Sequence, residues 1–336
     1  MMTKVKVNKA KLRLVFGSMI SITALAVLIW FVDGKQVLSA LKQVNLFWIA
    51  PVLVLLLVSL MTRAAAWRTI LKNRISFGKS FLILNAGYFV NTILPFRIGE
   101  VARAFLLIPS GFTFWEAFPT ILLERMFDIV FAVCLFLTGL TFVLNFTQGI
   151  VYAAILGGLV LVGFGVLFFL VKNQRQVLVR LEGVSLSWTK AQAWLIKQLR
   201  AIFSGLIVLN DSRQLRKTFT FMFLSWGIAI LYQYLLLKAF IPDARLIWAV
   251  FALGALALGV SVPSSPGNIG LYEASITLAL TAFGVDRSAA FTYALTSHIL
   301  NLAMTTLFGS FALVREGYAL RDIWQFSQQQ RKEENL

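Results

Sequence analysis

One cysteine, one histidine and 14 acidic residues are spread over 336 positions, and each scarcity closes off a class of protein. The single cysteine, Cys134, lies inside an apolar run, so it supports neither a disulfide framework nor a zinc site. No cluster of His, Cys and Asp has the spacing of a metal centre, and no G-x-S-x-G nucleophile turn occurs. Neither a metal nor a cofactor is expected. Ser76-Phe77-Gly78-Lys79-Ser80 imitates the end of a phosphate-binding loop, but Asn73 stands where the first glycine is required, so ATP hydrolysis is not expected. No extramembrane segment is long enough for a catalytic domain, and the chain is expected not to be an enzyme.

Charged residues are also few, 13% against 59% hydrophobic, with a mean hydropathy of +0.82. Such a composition is too apolar for a soluble domain and predicts an all-helical, multi-pass membrane protein. A span needs roughly 20 apolar residues as a helix. Six stretches qualify: about 14–32, 46–62, 118–146, 149–171, 218–241 and 289–314. The first is long, follows five basic residues and lacks a small-residue cleavage site, so it reads as a retained anchor.

The formal net charge of +17 comes from Lys and Arg that flank apolar spans. That distribution points to anionic inner-leaflet headgroups as partners and away from nucleic acid. Of 31 such residues, 23 fall before the first span, in 63–79, in 172–217 and from Arg315 onward. By the positive-inside rule these segments and both termini are cytoplasmic, in the inner or plasma membrane.

This assignment leaves two apolar stretches that must enter and leave from one side. Residues 81–108 are interrupted at Pro95-Phe96-Arg97-Ile98-Gly99-Glu100, and 246–284 at Pro263 through Glu273. We read them as two re-entrant hairpins dipping in from opposite faces; eight complete spans are the alternative. A shift of 173 carries Glu100 to Glu273, Gly111 to Gly284, Arg125 to His298 and Asp128 to Asn301. Hence one transmembrane domain, 1–336, is expected to contain an inverted repeat with cores at 81–146 and 246–314. The 172–217 segment is a cytoplasmic amphipathic linker, lying on the leaflet or packed on the bundle.

Paired interrupted helices mark binding sites in transporters built from repeats. Charge inside a bilayer costs on the order of 2.5–3.5 kcal/mol on insertion scales, so the charged residues near the breaks need an explanation. Arg97, Glu100 and Arg103 lie at the first break, and Glu124, Arg125 and Asp128 share one helix flank three and four residues apart. A helix starting near Phe118 puts Asp128 about 15 Å deep. Asn268 and Glu273 lie at the second break, with His298 and Asn301 at matching depth on the following span. These ten residues are the candidate substrate-binding set, with the arginines suited to phosphate. The competing readings are a buried ion cluster that locks helices, and Pro and Gly that merely permit tight crossings.

The N-x-x-x-P-x-R-x-G-E-x-x-R pattern of Asn91 to Arg103, then Glu124-Arg125-Met126-Phe127-Asp128, then Pro266-Gly267-Asn268-Ile269-Gly270-Leu271-Tyr272-Glu273, resembles the lysylphosphatidylglycerol synthase transmembrane, or flippase-like, family. The resemblance covers nearly the whole chain. It implies a polytopic protein that moves lipids between leaflets: phospholipids, lipid-linked sugars or isoprenoids, in some settings beside a lipid-modifying enzyme. Two-part members carry a soluble aminoacyl-transfer domain, absent before Leu336, so synthase activity is not expected here. A membrane-embedded transferase or accessory subunit, and a purely structural partner, are the rival readings.

Overall fold

The computed structural model describes residues 46–94, 97–144, separate positions between 151 and 170, 171–183, 189–262 and 265–317. Among the described residues there is helix and no strand. The predicted span at 14–32 lies outside the described residues, as do Pro95, Phe96, Pro263 and Ser264 at the breaks.

Among the described residues the α-helices with both ends placed are, in order, α1 Ile49–Ile70, α2 Phe77–Ile93, α3 Ile98–Leu107, α4 Phe114–Val143, α5 Gln174–Gly183, α6 Thr189–Gly205, α7 Ser212–Phe240, α8 Leu246–Gly259, α9 Leu271–Thr281 and α10 Arg287–Glu316. Polar side chains set several of the starts by accepting otherwise orphaned amides. Ser76 Oγ takes the N–H of Lys79, Thr113 Oγ1 that of Glu116, Asp211 those of Arg213 and Gln214, and Asp286 that of Ala289. Gly317, at φ +74°, supplies the left-handed residue that ends α10.

Helices α1, α4, α7 and α10 are long and apolar enough to cross a membrane. Their outer faces remain apolar, with Val54, Phe142, Phe223, Leu307 and Val314 exposed, as hydrocarbon contact requires. The described positions from Val151 to Lys172 are helical.

One boundary differs from the sequence reading. Arg63 was expected to open a cytoplasmic loop, yet α1 continues to Ile70. Ala64-Ala65-Ala66 are strong helix formers, and the Arg63 charge is met inside the bundle by carboxylates from α4. Helix α4 also starts earlier than expected, which places Asp128 midway along its 30 residues.

The helices pair through small and hydroxyl residues, as membrane helices do when no water drives their association. Along α1 and α7, Ser59 and Ser225 each donate to the other's carbonyl at 3.2 Å, and the Thr69 and Thr218 hydroxyls meet at 2.6 Å. Helix α2 runs antiparallel to α10, from Lys79 beside Glu316 to Thr92 near Leu302, with Phe89 seated against Gly309. Helix α8 runs antiparallel to α4 in the same manner, with Phe251 against Gly139 and Phe136 against Gly254. A Cβ at any of these three glycines would collide with the partner helix.

The exchange is reciprocal: the first helix of each predicted repeat unit packs on the last helix of the other. Element bounds agree with the same register. Helix α9 begins 173 residues after α3, and α10 begins 173 after α4. Before the long helices, Gly111 and Gly284 hold φ values of +82° and +81°. Helices α2 and α8 depart from the pattern, at 17 and 14 residues.

In the linker, α6 turns its apolar stripe inward. Phe203 is buried, Leu199 and Ile202 pack against the core, and Lys197 and Arg200 stay at the periphery. Gly205 lies against the Glu116 backbone of α4, so this helix is seated on the bundle.

Candidate binding site at the two helix breaks

Helix α2 ends where the chain turns extended at Leu94, and Arg97 restarts it from φ +53°, a left-handed position unusual for a long side chain. The turn is clamped by Asn91, whose Oδ1 accepts the Gly99 N–H at 2.7 Å while its Nδ2 donates to Glu100 Oε2 at 3.3 Å. Gly99 has no room for a Cβ, because the Gly87 carbonyl and the Asn91 amide occupy that space. The same approach lets the Arg103 side chain lie along Gly87.

From there the charges of α1, α3 and α4 form one network. Arg103, 1% exposed, pairs with the fully buried Glu124 and stacks on Trp67 at 4.0 Å. Trp67 in turn donates its indole N–H to Thr120 at 3.2 Å. Arg63 reaches Glu124 at 3.4 Å and also pairs with Asp128. Arg125 bridges Asp128 at 3.2 Å and Glu100 at 3.4 Å, with Tyr88 beneath its guanidinium at 5.9 Å. Three guanidinium groups thus meet three carboxylates, a balance that buried charge demands. The interior is sealed at Arg103 and Glu124, whereas Arg63, Arg125 and Asp128 keep 17%, 26% and 13% of their side-chain surface open.

At the second break, Gly267 and Asn268 both take positive φ, +67° and +56°, and Gly270 opens α9 at +89°. Glu273 Oε2 accepts the Gly270 N–H at 2.7 Å, and its Oε1 faces His298 Nδ1 at 2.6 Å. The other imidazole nitrogen, Nε2, lies 2.9 Å from the Gly267 carbonyl. A carbonyl only accepts, so Nε2 carries a hydrogen, and a single further proton lies between Nδ1 and the carboxylate. Tyr272 stacks on the imidazole at 4.1 Å and bonds Ser297. Gln233 of α7 then accepts from both Ser297 and Tyr293.

The two breaks touch. Arg97 donates through Nη2 to the Val260 carbonyl, at the end of α8. From the other side, Gly267 is close enough to α2 that a Cβ would sit 3.6 Å from the Thr92 carbonyl.

Of the ten residues singled out from sequence, Glu100, Arg103, Glu124, Arg125 and Asp128 belong to the ionic network, and Arg97 connects its edge to the second break. Glu273 and His298 form the second pair, with Asn268 in the turn above them and Asn301 half-buried on the next turn of α10. Arg63, Trp67 and Gln233 were missed. Arg63 had a readable signal in the alanine run that follows it; Trp67 and Gln233 had none, because their partners are distant in sequence. Among the described residues no group of three or more His, Cys, Asp or Glu is placed to hold a metal ion.

The long apolar helices, interrupted hairpins and buried ionic network define an integral membrane protein. Residues 14–309 match the family described as the lysylphosphatidylglycerol synthase TM region, and the chain belongs to that family. It is similar to a UPF0104 membrane protein of Methanocaldococcus jannaschii, 24% identical over 230 residues that cover 66% of this chain and 92% of that protein. It is also similar to the glycosyltransferase AglD of Haloferax volcanii, 24% identical over 343 aligned residues covering 89% of this chain. The chain spans 54% of AglD's length. No solved structure matches.

Proposed function

We propose that the protein carries the phosphate-bearing headgroup of a membrane lipid, a phospholipid or a lipid-linked sugar or isoprenoid, between leaflets, with the acyl or prenyl tail left in the bilayer. The observation that carries this reading is the contact between Arg97 and Val260, which makes one site out of two helix breaks. Arg97 is a cation beyond the balanced set of three guanidinium and three carboxylate groups. Among the described residues its guanidinium donates to a backbone carbonyl, a neutral partner that a phosphate oxygen outcompetes through a charge-assisted, bidentate bond. Membership of a family resembling lipid flippases supports the same direction.

In this reading both termini are cytoplasmic and the two units face opposite ways across the membrane. Helices α2 and α3 dip in from the cytoplasmic side, and α8 and α9 from the other. The reciprocal antiparallel packing of α2 on α10 and of α8 on α4 supports such an inverted arrangement. Rocking of one unit against the other opens the shared site to alternate faces. The Glu273–His298 hydrogen bond, between the second break and α10, would couple that motion to protons.

Leaflet exchange of a headgroup-labelled phospholipid in proteoliposomes tests the proposal. Exchange above that of protein-free vesicles supports it, and exchange equal to theirs refutes it.

A second reading is favoured by the similarity to a protein named a glycosyltransferase: a membrane-embedded transferase, or its accessory subunit, acting on a polyprenyl phosphate or phospholipid. Product formed from a sugar donor, without leaflet exchange, decides for that reading.

A further inference from the structure

Where α1 ends and α7 begins, a cavity of about 470 Å³ is lined by Arg68, Thr69, Asn73, Arg213, Arg216, Lys217, Thr220 and Phe221. Four cations face it. Asp211, the nearest carboxylate in sequence, is engaged as the cap of α7, accepting the amides of Arg213 and Gln214. Among the described residues no carboxylate forms an ion pair with any of the four. Arg68 is held in place by its Nε bond to the Ile75 carbonyl at 2.9 Å, which leaves its terminal nitrogens available. The ionic network of α1, α3 and α4 is balanced, three guanidinium groups to three carboxylates, and this cleft departs from that pattern.

Immediately beside it lies a second cavity, of about 610 Å³, and its walls are apolar: Phe127, Phe168, Leu209, Leu215 and Phe219. Arg216 and Thr220 line both cavities. A cationic cleft opening into an apolar trough, at the end of two helices long enough to span a bilayer, has the polarity profile of an amphiphile held at the headgroup level.

We infer that this double cavity is a binding site for an anionic phospholipid of the adjacent leaflet, with the phosphate between Arg68, Arg213, Arg216 and Lys217 and an acyl chain along Phe127, Phe168 and Phe219. The site is separate from the one at the helix breaks and does not rest on the transport reading. It places the lipid's chain against Phe127, next in sequence to Asp128 of the ionic network, so the bound lipid braces α4 against α7 beside the charged interior.

The test uses the full chain in mild detergent and native mass spectrometry, with phosphatidic acid and phosphatidylcholine of matched acyl chains as probes. Wild-type protein is expected to retain phosphatidic acid in preference. R213Q/R216Q/K217Q, three changes at exposed positions, is expected to weaken that retention about tenfold or more. Phe219→Asn, also exposed, should weaken lipid retention while leaving competition by inorganic phosphate unchanged. In an Arg97→Ala background the triple variant should lower retention by the same factor as in the wild type, which separates this site from the one at the breaks. Equal retention of both lipids, an unaffected triple variant, or inorganic phosphate binding as tightly as the lipid would each overturn the inference.

Discussion

His298 meets Glu273 at 2.6 Å across 25 residues of sequence, and the positions 173 residues earlier, Arg125 and Glu100, meet at 3.4 Å. In each unit a glutamate in the first turn of the short helix after the break is held by a basic side chain from the middle of the following long helix. The two units keep this geometry while differing in chemistry. One uses a permanently charged guanidinium within an ionic network, the other an imidazole that shares one proton with its carboxylate.

The Arg103–Glu124 pair is the most enclosed part of the network, so cutting one partner leaves an unbalanced buried charge. Arg103→Ala and Glu124→Ala are each expected to destabilise the protein by about 3–5 kcal/mol. Thermal unfolding in detergent checks this. Arg103→Lys should recover little, because an ammonium cannot reproduce the planar stacking on Trp67.

Gly99 is where α3 crosses α2, and a methyl group there runs into the Gly87 carbonyl. Gly99→Ala is therefore expected to lower stability by about 1–3 kcal/mol through overpacking. Gly78→Ala, at a helical position with open space around it, serves as the control and should leave stability unchanged or slightly raised. Melting curves of the two variants side by side make the comparison.

The hydroxyls of Ser59 and Ser225 lie 3.4 Å apart, so thiols in their place would face each other across α1 and α7. In a Cys134→Ser background, Ser59→Cys with Ser225→Cys should oxidise to a cross-link between α1 and α7. Cleavage between the two helices followed by nonreducing electrophoresis reads it: joined fragments are expected, separating on reduction. Separate fragments under oxidising conditions would contradict the pairing.

Much of the architecture was legible in the amino-acid sequence because hydropathy and spacing report directly on bilayer length. The cores of α1, α4, α7 and α10 all coincide with predicted spans. The relation between Glu100 and Glu273 was readable as a repeat distance, but not that each would pair with the residue 25 positions on. Arg63 was misassigned because a hydropathy boundary marks where apolar character ends, whereas a helix continues as long as its charges find partners. Arg97 at a left-handed turn was invisible as well: sequence rules assign such positions to glycine or asparagine, and this arginine adopts one where its side chain reaches across to Val260. Gln233 joins Tyr293 and Ser297 only because α7 and α10 pack together, a fact of tertiary structure alone.

The central claim is that the two breaks form one headgroup site with Arg97 as its phosphate-binding cation. It is tested most directly by leaflet exchange of a headgroup-labelled phospholipid in proteoliposomes, comparing wild type with Arg97→Gln at equal amounts of folded protein. The account predicts that Arg97→Gln lowers the exchange rate about tenfold or more, the loss of one charge-assisted bond to phosphate, with its melting temperature close to that of the wild type. An Arg97→Gln protein that folds and exchanges lipid at the wild-type rate would contradict it.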